Sequence, residues 1–322
     1  MDFLLALLGL TILLLAGDAL VRGAVNLSLR LGVPALIVSL TIVAFGTSAP
    51  ELLISVQAVL DDVPGIALGN VVGSNIANVL LVLGIPAILS RLHTSGCETK
   101  RDFFFMMAAT LLFIGLAFFG PLSWPHGLAL LTLLALFLGN AFRKARAHRR
   151  AGDGAGDCAG DGDELDELEG VDPHMPGWRI GMFLVLGLVG LPLGADILID
   201  AASNLARSFG ITESVIGLTL VAFGTSMPEL ATTVMAALRR QADVALGNVI
   251  GSNIFNLAAI LGIATLVGPI PVDPAFLSFD VWVMLGASLM LVPFVFWGRD
   301  IGRSWGIGLT GLYIAYVLVL LN

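Results

Sequence analysis

Long apolar runs separated by short polar breaks fill this chain, and ten of the runs are long enough to read as helices that cross a bilayer. A crossing helix needs about 20 apolar residues. The pattern predicts such helices at about 3–29, 35–60, 65–89, 103–119, 124–142, 179–206, 212–238, 243–267, 279–297 and 304–321. The first run, dominated by Leu and Ile from Leu4 to Leu15, has the look of a secretory signal. Yet Asp18, Asn26 and Gly32 recur at a fixed distance as Asp196, Asn204 and Gly210, so that run is expected to belong to the mature fold.

The polar breaks recur too. Thr41 to Leu52 reads TIVAFGTSAPEL and Thr219 to Leu230 reads TLVAFGTSMPEL; Ala67 to Asn78 reads ALGNVVGSNIAN and Ala245 to Asn256 reads ALGNVIGSNIFN. The offset is a constant 178 residues, and about 26 of the 45 positions from Thr41 to Ile85 are identical in the second copy. Five helices per copy is an odd number, so the second copy enters the membrane from the opposite side. The expected fold is therefore an all-α integral membrane protein of ten transmembrane helices arranged as two inverted five-helix repeats. The first repeat is placed at residues 1–142, a linker at 143–178 and the inverted second repeat at 179–322. Inverted repeats with a midplane site between them are a recurring plan of secondary transporters.

Composition agrees with the membrane reading: 57% of residues are hydrophobic, 12% are charged, and the mean hydropathy is +0.96. Basic loops stay on the cytoplasmic side. With the N-terminus outside, 14 of the 16 Lys and Arg residues fall on inward loops, Arg207 falls outside and Arg22 lies within the first helix. Both termini are thus expected to be external, and the Asp- and Glu-rich stretch Asp153 to Asp172 to be a solvated cytoplasmic linker. That stretch has no EF-hand spacing. Cys97 and Cys158 map to the cytoplasmic side, where a disulfide is not expected.

The chemistry sits at the breaks. Pro50 and Pro228 cannot donate to the carbonyls of Gly46 and Gly224, and each interrupts its helix. Thr47 and Ser48 lie four and three residues before Glu51, on one helix face, and Ser74 and Asn78 are four apart on the next helix. The second copy repeats the set as Thr225, Ser226, Glu229, Ser252 and Asn256. Converging, these faces offer oxygen alone, with no His or Cys, which argues against zinc and copper. Calcium takes six to eight oxygens at about 2.3–2.6 Å. Two glutamates supply four oxygens and two negative charges; hydroxyls, amide oxygens and loosened carbonyls of Ala44 or Ala222 complete such a shell or hold sodium. A carboxylate at the bilayer centre costs about 2.5–3.5 kcal/mol on insertion scales, so two are kept there for a purpose.

The doubled motif, GTSAPEL with GNVVGSNIAN and GTSMPEL with GNVIGSNIFN, resembles the two alpha repeats of the cation/calcium antiporter superfamily, in particular its prokaryotic sodium/calcium exchangers. The resemblance covers the chain apart from the acidic linker. It implies a ten-helix fold, sodium-driven calcium exchange by alternating access, and a site in the second, third, seventh and eighth helices. Its binding positions fall on Ala44, Thr47, Ser48, Glu51, Ser74, Asn78, Ala222, Thr225, Ser226, Glu229, Ser252 and Asn256. Some relatives, the potassium-dependent ones among them, carry Asp where this chain has Asn256, which makes potassium co-transport unexpected. The substrates implied are calcium and sodium ions, with no cofactor and no catalytic residue; a monomer suffices, and the short linker points to a prokaryotic plasma (inner) membrane.

Other readings remain beside this one. A proton-coupled calcium antiporter is the alternative, because Glu51 and Glu229 can also carry protons. A channel needs a continuous pore, and an intramembrane enzyme needs a base that His93, His126, His148 and His174, all in or near loops, do not provide. Asn70, Asn75, Asn248 and Asn253 read as ties between helices, and Gly69, Gly73, Gly247 and Gly251 as close-packing positions. Asp18 faces Arg22 one turn later, either as a local anchor or at an ion entry. The first and sixth helices are candidates for a moving pair, with hinges at Gly32–Pro34 and Gly210–Thr212.

Overall fold

The computed structural model describes residues 2–94, 99–151, 172, 175–208 and 222–320, and those residues are helical apart from turns, short links and two isolated strand-like bridges. Cys97, Cys158, His174, nearly all of the acidic linker and the Gly210–Thr212 hinge lie outside them, and so does the side chain of His148. Two helices are far longer than a bilayer core: α1 (Asp2–Leu31, 30 residues) and α7 (Gly177–Ser208, 32 residues). At 1.5 Å per residue each extends about 45 Å or more, against a hydrocarbon core of about 30 Å, so both run obliquely or reach beyond it.

These two helices lie along each other through their smallest residues. A Cβ added to Gly9 would fall 2.7 Å from the Leu198 nitrogen, and one added to Gly187 would fall 2.9 Å from the Leu20 nitrogen. Gly187 is the repeat mate of Gly9, and Leu198 that of Leu20, so the contact is reciprocal. In lipid, where apolar side chains gain nothing by leaving the solvent, such close backbone approach is what holds helices together. The outer faces expose Leu4, Leu7 and Leu15 on α1, and Val185 and Val189 on α7, as suits contact with acyl chains.

The remaining helices pack beside this pair. In the first half, α2 (Ala35–Thr47) and α3 (Ala49–Leu60) meet at a 43° bend. Behind them run α4 (Pro64–Leu89), α5 (Lys100–Ala117) and α6 (Trp124–Ala151). In the second half, α8 (Ala222–Thr225) and α9 (Met227–Leu238) precede α10 (Ala242–Val267), α11 (Phe276–Trp297) and α12 (Arg303–Leu320). Among the described residues seven helices are long and apolar enough to cross a membrane, and the bent α2–α3 pair makes eight. Of the other two expected runs, α5 opens on Lys100, Arg101 and Asp102, and α8 with α9 is the described part of 212–238.

The core centres on α4 and α10, which are apolar around most of their circumference and correspondingly enclosed. Gly247 and Gly251 of α10 let α2 approach, with Leu40 O 2.7 Å from a Cβ placed on Gly251; their mates Gly69 and Gly73 meet no described residue within 4 Å. Short links close the ends: Leu92 pairs with Ile301 (N···O 3.1 and 3.0 Å), and Leu122 pairs with Ile270 (2.8 Å both ways). All five tryptophans, Trp124, Trp178, Trp282, Trp297 and Trp305, are exposed near helix ends. That is where indole rings sit at a membrane interface.

Candidate ion-binding site

Both bends are built the same way. Ser48 (φ −86°, ψ 4°) and Ser226 (φ −87°, ψ 4°) leave helical geometry just before Pro50 and Pro228, which occupy the first turns of α3 and α9. Proline suits a helix start, where its missing N–H is not needed. A serine preceding a helix ordinarily accepts a bond from that helix's own N–H groups. Neither serine does so here. The Ser48 hydroxyl instead donates to Glu229 Oε1 of the other half at 3.1 Å, and Ser226 Oγ has no partner among the described residues.

Glu51 and Glu229 occupy the first turns of α3 and α9, at the helix ends where main-chain N–H groups concentrate partial positive charge. Both are 0% exposed. Among the described residues neither carboxylate has a Lys, Arg or His partner. Among the described residues, both oxygens of Glu51 and one of Glu229 find no hydrogen bond, nor do Ser226 Oγ, Ser252 Oγ, Asn78 Oδ1 and both amide atoms of Asn256. Unpaired buried polar groups are expensive, and buried carboxylates most of all. Most of these atoms are oxygens, the ligand type that hard cations take; no group of three His, Cys, Asp or Glu side chains that could hold a metal occurs among the described residues.

Thr47, Ser48, Glu51, Ser74, Asn78, Thr225, Ser226, Glu229, Ser252 and Asn256 are all buried, as is Ala44. The Thr47 hydroxyl lies 3.3 Å from both Ala44 O and Asn248 Oδ1. The carbonyl of Ala44 is less loosened than the proline argument suggested, because it still accepts the Ser48 N–H at 3.1 Å. Pro50 removes the donor four residues after Gly46, not the one that serves Ala44, which keeps at most one lone pair for other partners. Ala222 opens α8, and its side chain falls outside the described set.

A second layer holds the acids in place. Asn70 Nδ2 donates to Glu51 O (3.3 Å) and Ser55 Oγ (3.0 Å); Asn248 Nδ2 donates to Glu229 O (3.3 Å) and Thr233 Oγ1 (3.1 Å). These asparagines tie α4 to α3 and α10 to α9. Ser55 and Thr233 went unnoticed in the sequence, although the 178-residue offset carries a hydroxyl at both positions. Asn78 Nδ2 donates to Asn253 Oδ1 at 3.1 Å. Asn78 lies within the α-helical part of α4, whereas Asn256 lies in a wider π turn, Phe255–Ile260, inserted in α10. Such insertions often mark functional positions. Asp18 does pair with Arg22 (2.9 Å), and also with Arg239 of the other half, a partner that no local spacing reveals.

Comparison with known proteins gives matching answers. The family model described as sodium/calcium exchanger protein matches residues 1–143 and 180–322. The sodium/calcium exchanger MaX1 of Methanosarcina acetivorans is 36% identical over 99% of this chain and 98% of its own length. The inner membrane protein YrbG of Escherichia coli is 34% identical over 98% and 95%. A solved structure of the sodium-calcium exchanger NCX_Mj, soaked with Na+ and Sr2+, superimposes with a TM-score of 0.81 at 31% identity, covering 99% of both chains.

Proposed function

The chain belongs to the sodium/calcium exchanger protein family, and on that premise we propose that it exchanges sodium for calcium by alternating access. It is a multi-pass membrane protein that carries cations in antiport. In the proposed arrangement ten helices form two inverted repeats, at 1–142 and 179–322, joined by a cytoplasmic linker at 143–178, with both termini external in a plasma (inner) membrane. One protomer contains a whole site. The ligand set proposed is the twelve residues from Ala44 to Asn256 named above, with calcium held by Glu51 and Glu229 and sodium by hydroxyl, amide and carbonyl oxygens of the same cage.

One observation carries this reading: two fully buried carboxylates, one from each half and linked through Ser48, have no basic partner among the described residues. A divalent cation supplies the missing charge; two or more sodium ions supply it equally. Competition for one cage, opened to one side at a time, couples the two fluxes without further machinery. The reciprocal contacts between repeat mates support the inverted arrangement.

The test is calcium uptake into vesicles loaded with sodium. Uptake should follow the outward sodium gradient and vanish with E51Q or E229Q. If calcium instead follows a pH gradient with sodium absent, the coupling ion is the proton, and sodium exchange is wrong. Full uptake with both glutamates replaced by Gln would remove the site itself.

A further inference from the structure

The two halves are not arranged alike around the bends. Helix α1 lies across α9: a Cβ on Gly17 would fall 3.0 Å from the Ala231 carbonyl oxygen, and Ala231 and Thr232 are 7% and 0% exposed. Their repeat mates on α3, Leu53 and Ile54, are 71% and 39% exposed. One helix face is thus covered in the second half and bare in the first. For a transporter whose halves exchange roles, this is one of two end states, with the α9 side closed.

The covered side carries a charge device that the other side lacks. Asp18 of α1 forms an ion pair with Arg22 (Nε···Oδ2 2.9 Å) and accepts a hydrogen bond from Arg239 Nε, at the end of α9. Arg239 is itself buried. The repeat mates of Asp18, Arg22 and Arg239 are Asp196, Asp200 and Asp61. Three acids cannot make the matching pair, and drawing them together raises their mutual repulsion.

We propose that the Asp18–Arg239 ion pair is a latch that holds α1 over α9 and must break before the ion site opens toward that end. The two access states are then unequal by design: the α9 side closes on a hydrogen-bonded pair, and the α3 side closes against like charge. Asp18 and Arg239 act on transport through the position of α1, and neither is assigned to the ion cage. Removing either charge takes away the attraction between α1 and the end of α9, so single charge removals should release the contact and a reversed pair should restore it.

The latch rests on the alternating-access reading, but its test needs no ion flux. In a background with both cysteines removed (C97A and C158A), a reporter cysteine replaces Ala231, which α1 covers, and a second reporter replaces Ala109, buried in α5. Purified protein is then labelled with a bulky hydrophilic maleimide. D18N or R239Q should speed labelling of A231C at least ten-fold while A109C stays protected, and D18R combined with R239D should return A231C to slow labelling. An unchanged rate at A231C, an equal rise at A109C, or failure of the reversed pair to restore protection would each overturn the latch. Loss of sodium-driven uptake in the parent protein would overturn the transport reading instead.

Discussion

The side-chain amide of Asn75 donates to the main-chain carbonyl of Asn253 at 3.3 Å, and the amide of Asn253 returns the bond to the carbonyl of Asn75 at 3.5 Å. The two residues are 178 apart, so each is bonded to its own repeat mate. Such reciprocity is what a two-fold relation between copies produces where its axis passes. The sulfurs of Met284 and Met106, also mates, lie 3.9 and 3.8 Å from the same two amide nitrogens. Asn253 differs in one respect, because its Oδ1 also accepts from Asn78.

Replacing Asn253 with Ala should therefore cost more than replacing Asn75. Interhelical hydrogen bonds in membranes are worth about 0.6–2 kcal/mol each. N75A is expected to lower stability by about 1 kcal/mol, and N253A by about 2 kcal/mol because the Asn78 amide is stranded as well. Thermal unfolding of the two variants side by side in detergent checks the order.

Glu51 and Glu229 are fully buried with no basic partner among the described residues, and in the proposed reading a cation supplies the missing charge. E51Q should accordingly leave the ion-free protein at least as heat-stable as the parent, while removing the stabilisation that calcium gives. For the parent, calcium at about 100 times its dissociation constant should add about 2.7 kcal/mol. Melting curves with and without calcium decide it; a calcium-induced shift in E51Q as large as in the parent would place the ion elsewhere.

The α1–α7 seam should reject side chains where backbones touch. A Cβ at Gly9 meets main-chain atoms of α7 at 2.7–3.0 Å, which cannot yield as a flexible side chain can, whereas one at Gly181 on the same helix pair meets no described residue within 4 Å. G9V is expected to cost about 1–3 kcal/mol by overpacking and to depress uptake. G181V should be close to neutral in both the melting and the flux measurements.

Much of this protein can be read along the chain. Apolar run lengths gave the membrane class and most of the helices, and the 178-residue repeat located both bends. The placement of Glu51 and Glu229 beside hydroxyls singled out residues that the structure buries. These signals are local, or repeat at one fixed interval, so a linear reading can find them. The remainder depends on which helix lies against which. Ser48 reaching Glu229 rather than its own helix, Asn75 meeting Asn253, and Arg239 closing on Asp18 join residues 175 or more apart. The bare face of Leu53 beside the covered face of Ala231 is likewise invisible in two segments whose sequences run parallel. A repeat fixes which residues both halves carry; how each half is covered is set by packing and charge between helices, and those act through space rather than along the chain.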